Sequence, residues 1–278
     1  MNIRSARFST VFIAGFIATA CASSGPGGGG GGNTSAVELY TLDPIVAKQR
    51  FEMVRLQCPW ELENSSSKKA SVGKATWRVK LDEITLSGEQ VFDIEAAPGA
   101  SSSGIIEIEV ELPVNEEVLK ANVEKRALFY NVSANFDIGI GRRNEIFEAE
   151  WNGEIYPPRA PQIFIKSEAA RFDESMELNF RIALRNRNPF GVMVDGVDYV
   201  LTINGVELLK GELASSAFID AASEMHFELN RFIGRDDHFD LVKALQSMQS
   251  VPYQLDATLR VAEVELKSSL HQEIIFPR

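Results

Sequence analysis

The side chains best equipped for chemistry in this 278-residue chain are three histidines, His226, His238 and His271, and two cysteines, Cys21 and Cys58. A zinc or hydrolytic centre needs such groups at short fixed spacings, as in HExxH, and none of the histidines stands in one. Arg235-Asp236-Asp237-His238 gathers acid, base and cation, but it directly precedes an amphipathic stretch, where aspartates cap a helix and oppose its dipole. Glu107, Glu109 and Glu111 alternate with Ile106, Ile108 and Val110, so the carboxylates share one strand face and read as its solvated side. Gly139-Ile140-Gly141 supplies two glycines of a nucleotide fingerprint, yet it follows a strand without opening a helix and reads as a bend between strands. No Walker loop or GxSxG elbow occurs. These patterns predict no enzyme, no cofactor and no metal site.

Cys21 points to a different chemistry, acylation. Arg4 and Arg7 precede an apolar run from Phe8 to Ala20, shorter than the roughly 20 residues a membrane-spanning helix needs, so residues 1–20 read as a secretory signal. Ala18-Thr19-Ala20 satisfies an A-x-A cleavage rule, and Cys21 behind it resembles the lipobox of bacterial lipoproteins, with Ala18 where leucine is usual. Residues 21–36 include six consecutive glycines, Gly27 to Gly32, and read as a flexible tether. The segment from Cys21 to about Thr41 would span roughly 25 Å root-mean-square and about 70 Å when stretched. Ala22 after the cysteine resembles the sorting pattern for the outer membrane. The expectation is an outer-membrane lipoprotein facing the periplasm and anchored through acylated Cys21, with simple secretion as the alternative. Cys58 is then left without an intramolecular partner, as a buried apolar side chain or a reactive thiol.

Twenty-eight cations against 39 carboxylates leave a formal charge of -11, spread along the chain. That balance favours solubility and argues against nucleic acid or anionic-lipid partners.

The elements come from a repeat. Trp60–Leu86 aligns without a gap to Ile182–Leu208, keeping Asn64/Asn186 and Val72/Val194 identical and matching Trp77 with Tyr199. In each copy a strand (Trp77–Leu81, Tyr199–Ile203) runs into a turn: Asn204-Gly205 has the residues of a type I′ hairpin, whereas Asp82-Glu83 is a poorer pair. Asp195-Gly196 and Asn152-Gly153 are read as further hairpins. Extended segments follow at Gly104–Leu112 and Phe218–Leu229, then one helix per copy. Asn115 caps the first, with Val118, Leu119, Val123, Ala127 and Leu128 inward. Asp236 or Asp237 starts the second, with Phe239, Val242, Leu245 and Met248 inward. The closing strands are Ala134–Ile140, Ile146–Tyr156, Gln254–Val261 and Val264–Phe276. Two antiparallel β-sandwiches are expected, at 37–157 and 162–278, joined by a proline-stiffened linker at 158–161.

In the second copy, Asn186, Asn188-Pro189-Phe190, Tyr199, Asn204-Gly205 and Gly211 resemble the core motif of the late-embryogenesis-abundant type 2 family, also called the water-stress and hypersensitive-response (WHy) domain. The first copy departs from it, with Ser66-Ser67-Lys68 in place of Asn-Pro-Phe. The resemblance implies an all-β fold of immunoglobulin or fibronectin-III type with one helix at an edge, and a role in desiccation or osmotic stress exercised by binding or stabilising envelope components. Two other classes stay open: a carrier of a lipid or other apolar ligand, using a groove between sheet and helix, and an assembly component pairing through its sheet edges.

Overall fold

Strict alternation decides most of this fold, because a strand burying every second residue must lay that face on a core. The computed structural model describes residues 36–172, 176–234, 243 and 250–275. Within them the chain is nearly all β and every strand pairing is antiparallel. Strands β1 (Val37–Thr41) and β2 (Ile45–Gln49) pair with opposite ends of β3 (Met53–Asn64). β3 also pairs along its whole length with an antiparallel strand further on, Ala100–Glu111. Before that strand come β4 (Ala70–Leu81) and β5 (Ile84–Ala96), which makes it β6. The helix α1 (Glu116–Glu124) precedes β7 (Leu128–Ile140) and β8 (Arg143–Ile155), and a four-stranded sheet runs β5-β4-β7-β8. The inner faces of these two sheets meet in one core holding Leu56, Trp60, Phe136 and Ile138, all essentially without solvent contact. Trp60 packs edge-on against Phe92 (5.3 Å between centroids) and Phe136 (5.1 Å).

Past the linker, β9 (Gln162–Phe172), β10 (Met176–Arg185) and β15 (Glu224–Ile233) form a sheet ordered β15-β10-β9. The short strands β11 (Val192–Val194) and β14 (Ala217–Ile219) pair with each other. β12 (Gly196–Ile203), β13 (Val206–Ala214), β16 (Ser250–Val261) and β17 (Val264–Ile275) form a sheet ordered β13-β12-β16-β17. Its strand order repeats that of β5-β4-β7-β8. The sequence offset of 122 carries Ala70–Leu81 onto Val192–Ile203, and so carries β4 onto β11 plus β12. Gly73, where β4 slips register against both neighbours, maps onto Asp195, where the strand divides in two. A bulge in one copy is a break in the other.

The second core includes Leu178, Ile182, Val197, Leu201 and Leu255, and it also takes in Phe51, from the β2–β3 loop, and Leu119, from α1. Ala36 to Arg278 accordingly cluster as one compact unit. Burying Phe51 alone stabilises this contact by about 2 kcal/mol.

Several local expectations change. At Asn204-Gly205 both residues take positive φ (48° and 79°), as a type I′ turn requires, while at Asp82-Glu83 only Asp82 does (51°). Asn152-Gly153 is no hairpin: it lies inside β8, where glycine leaves room for the Tyr130 ring opposite. Asp195-Gly196 is none either. It joins β11 to β12, and Gly196 makes space for the Arg260 guanidinium. The segment Phe218–Leu229 is not continuous, because a turn with Ala222 at φ 50° separates β14 from β15. Asn115 caps α1 as expected, its side chain accepting from Val118 N at 2.9 Å. The helix ends at Glu124, however, so Leu128 starts β7, and the helix buries Leu119 and Asn122 while Val123 stays 54% exposed. Of the expected second helix only Lys243 is described, and it is helical; Arg235-Asp236-Asp237-His238 ahead of it lies outside the described residues, as do Cys21 and all of residues 1–35.

Candidate functional site

A buried carboxamide must satisfy two N–H groups and an oxygen, or its desolvation goes uncompensated. Among the described residues every fully buried polar side chain is an asparagine: Asn64, Asn122, Asn186 and Asn188. Asn186 ends β10, and its Nδ2 donates to the carbonyls of Phe190 (2.7 Å), Asp220 (3.0 Å) and Ile219 (3.2 Å). Its Oδ1 accepts from Asn188 N (2.9 Å) and Asn188 Nδ2 (2.8 Å). Asn64 does the same work in the first copy, donating to Lys68, Ala96 and Ala97 carbonyls and accepting from Ser66 N and Oγ. In each copy one side chain thus pins the loop after a strand to the end of a strand far along the chain.

Asn188 adds something Ser66 lacks. Its Oδ1 accepts from Arg159 N at 2.9 Å and its Nδ2 donates to Arg159 O at 2.8 Å, a two-point grip on the linker backbone. From the other side Asn122 of α1 donates to Pro158 O at 3.0 Å, and Arg159 itself donates to Lys125 O at 2.7 Å. Sequence reasoning missed Asn122; the available signal was an asparagine three residues after Leu119 on the apolar stripe of a helix. Asn188→Ser, which copies the first repeat, is expected to keep the loop and release the linker. The loss should be about 1–2 kcal/mol in chemical denaturation, with faster amide exchange at Arg159 and Ala160.

The remaining motif residues divide between core, turn and strand pairing. Phe190 is buried in the second core and Pro189 is exposed beside it. Tyr199 stands directly across from Gly211, as Trp77 does from Gly88 and Trp60 from Gly104. In each pair the ring lies over the position a Cβ would take, closest at Gly104 and in ordinary contact at Gly211. Glycine is there to receive an aromatic from the neighbouring strand.

Cysteine and the candidate triad partners are the titratable groups that bear on catalysis. Cys58 is fully buried, and burial raises its thiol to about 12, so it is a neutral core atom. In a Cys21→Ser chain a thiol reagent is expected to leave Cys58 untouched until denaturant unfolds the protein; rapid labelling of the native state would contradict this. Asp256, Ser269 and His271 have the composition of a hydrolytic triad, but Ser269 lies between the other two, its Oγ donating to Asp256 (2.5 Å) and meeting His271 Nε2 at 3.2 Å. The hydroxyl proton goes to the carboxylate, so the serine is not activated by the imidazole. Gln254 and Ser269 hold Asp256 below its ordinary pKa. Among the described residues no group of three or more His, Cys, Asp or Glu could hold a metal ion, and no helix is long and apolar enough to cross a membrane.

A cationic cluster is more distinctive. Glu224 is bridged by Lys166 (2.8 Å) and Arg185, and both cations lie over the Phe164 ring, at 4.9 and 4.7 Å from its centroid. Hydrogen bonds from Lys166 and then Arg185 lower the Glu224 pKa below its usual 4.5. A depressed carboxylate stabilises the fold above its unfolded pKa and loses that contribution as pH falls through the folded one. Melting curves of wild type and Glu224→Gln should therefore differ at pH 6–7 and converge as pH falls below the lowered pKa of Glu224.

Two open depressions lie against the second core, one of them beside the linker. One, about 790 Å³, lies between Phe51, the exposed cross-strand pair Met193 and Phe218, and the β16–β17 turn, with charges of both signs around it. The other, about 500 Å³, lies between α1, Ala160-Pro161, β9 and the strands β16 and β17, with Arg185 and Arg187 at its rim. Neither enters a core.

Comparison with known proteins bears on the second copy. No curated protein matches the chain. Among solved structures, a protein from Archaeoglobus fulgidus is 15% identical over 42% of this chain and 95% of its own, with a TM-score of 0.30. Red sea bream transglutaminase is 10% identical over 86% of this chain and 31% of its own, at 0.28. A Bacteroides uniformis β-glucuronidase is 11% identical over 81% of this chain and 26% of its own, at 0.29. The last two likenesses span less than a third of those proteins. The family model described as Late embryogenesis abundant protein matches residues 181–270. That span runs from β10 through the asparagine pin, the Asn204-Gly205 turn and the Tyr199–Gly211 pair into β17. The chain therefore carries, over residues 181–270, a domain of the late embryogenesis abundant type 2 family.

Proposed function

We propose that this protein is a non-enzymatic envelope lipoprotein in which two tandem immunoglobulin or fibronectin-III-like sandwiches, each with one inserted helix, act in desiccation or osmotic stress by binding or stabilising envelope components. The observation that carries it is the family match at residues 181–270. The matching strand orders of β5-β4-β7-β8 and β13-β12-β16-β17 favour a duplicated unit, with boundaries at 37–157 and 162–278. Anchoring would come from acylated Cys21 behind the signal at 1–20, with residues 21–36 as the tether. Two experiments address the two halves of the proposal. Intact-mass analysis of the membrane fraction should find a diacyl or triacyl adduct that Cys21→Ser abolishes; an unmodified soluble chain would refute anchoring. Deletion of the gene should reduce survival after drying or osmotic shock, and an unchanged survival curve would refute the stress role.

A second reading, binding of an apolar ligand, is favoured by one observation: the 500 Å³ groove beside α1. The packed cores leave such a ligand only a surface site, because Trp60, Leu56, Leu178 and their neighbours already fill the space between sheets. Pairing through the β6 edge is disfavoured. Gln90 occupies that edge like a short strand, donating to Ile105 O at 2.9 Å and accepting from Glu107 N at 3.1 Å.

A further inference from the structure

We infer that the groove between α1, the linker and the edge strand β17 binds a single-chain amphiphile with an anionic head, of the fatty-acid class. The inference deepens the ligand-binding reading above and is independent of the stress role and of Cys21. Its floor is the margin of the second core: the buried Leu119 from α1, Ile163 from β9 and Leu259 from β16, and the half-buried Leu266 from β17. The helix adds a wall in Val123, an apolar side chain one turn after Leu119 that is left 54% exposed. An acyl chain laid along these residues removes its own apolar surface from water, together with that of Val123 and Leu266.

The rim supplies the head-group chemistry. Four cations, Lys120, Arg185, Arg187 and Lys267, face one carboxylate, Glu116, in a protein whose formal charge is -11. Net charge predicts repulsion of anions; this site locally reverses it. Lys120 is taken up by Glu116 at 2.7 Å, one turn before it on the helix, and Arg185 by Glu224. Arg187 is exposed and has no ion-pair partner among the described residues, and Lys267 acts on Glu116 only through its field. These two are free to meet a carboxylate, and a guanidinium accepts one with two parallel hydrogen bonds. Arg187 stands inside the Asn186–Phe190 loop, so the asparagine pin that holds that loop also holds the cation in place. Ala160 and Pro161 belong to the linker that Asn188 and Asn122 fix, so the floor is formed before ligand arrives.

Size decides between a small amphiphile and a protein. A volume of about 500 Å³ lies in the usual range for a single small ligand. Sixteen residues line the groove, fewer than the roughly 20–30 per side of a standard protein interface.

The test is fluorescence titration of the full chain with 11-(dansylamino)undecanoate, followed by displacement with laurate, dodecanol, acetate or an acidic amphipathic peptide. It is run in parallel on Cys21→Ser, so that an acyl group on the protein itself cannot be the occupant. Laurate should displace the probe saturably, dodecanol at least tenfold less well, and acetate not at all. The double variant Arg187→Glu/Lys267→Glu should weaken laurate at least tenfold while leaving dodecanol and the melting temperature unchanged; Val123→Asp should weaken both. No saturable displacement, equal binding of laurate and dodecanol, or wild-type affinity in the double variant would overturn the assignment. Tighter displacement by the acidic peptide than by laurate would overturn it in favour of a protein partner. Loss of the survival phenotype with intact laurate binding, or the reverse, separates this site from the stress role.

Discussion

Asn186→Ala is expected to destabilise the protein by about 3–4 kcal/mol, because the buried carbonyls of Phe190 and Ile219 lose a donor at once, the loop loses its acceptor, and each unpaired group costs roughly 1–3 kcal/mol before relaxation. Asp220 O also loses a bond but keeps the Ser223 hydroxyl as a donor, and the acceptor lost is the one that holds Asn188 N and Nδ2. In a protein of this size the melting temperature should fall by about 10 °C. Asn186→Asp is the sharper variant. It keeps volume and one acceptor but turns a second oxygen, charged, toward three carbonyl oxygens, so it should cost at least as much as alanine. A melting curve for Asn186→Asp within 2 °C of wild type would show that the side chain packs and does not pin. Asn64→Ala should reproduce the loss, since Asn64 makes the matching set of bonds to Lys68, Ala96 and Ala97.

Trp60→Ala is expected to cost about 3–5 kcal/mol, the range for deleting a large buried aromatic. The side chain is fully buried, touches Phe92 and Phe136 edge-on, and covers Gly104 on the next strand. Trp60→Phe should cost under about 1.5 kcal/mol, for a specific reason: the indole N–H is buried and has no hydrogen-bond partner, so removing it relieves a penalty while the ring contacts persist. Gly104→Ala, the converse change, drives a Cβ into the indole and should destabilise by about 1–3 kcal/mol. Equal losses for Trp60→Phe and Trp60→Ala in urea denaturation would mean that indole shape, and not buried area, governs this part of the core.

Period-two alternation and turn chemistry made most of the strands legible. Ile106 to Glu111 reads as a half-buried strand with its glutamates outward, and so it is. Asn204-Gly205 reads as a type I′ turn because few residue pairs take positive φ twice. The same logic misread Asn152-Gly153, where the glycine answers an aromatic across the sheet. Glycine serves both purposes, and only the opposite strand tells them apart. The α1 helix was legible in its cap and its first turn. Its length was not, because Ala127 and Leu128 fit a helical stripe as well as they fit the start of β7.

The sequence by itself determined the β character, the 122-residue repeat, the family motif and the pairing of Asn64 with Asn186. Each of these is local or periodic, and a side chain's alternation or a turn's φ requirement is written in neighbouring residues. Tertiary structure alone decided what Asn188 does for the linker, that Leu119 and Phe51 are buried in the second core, and that Arg187 and Lys267 share a rim with Val123. The residues in those contacts are separated by tens to more than a hundred positions, and they meet only because packing α1 onto the second core removes apolar surface from water. No spacing rule in the chain encodes that meeting.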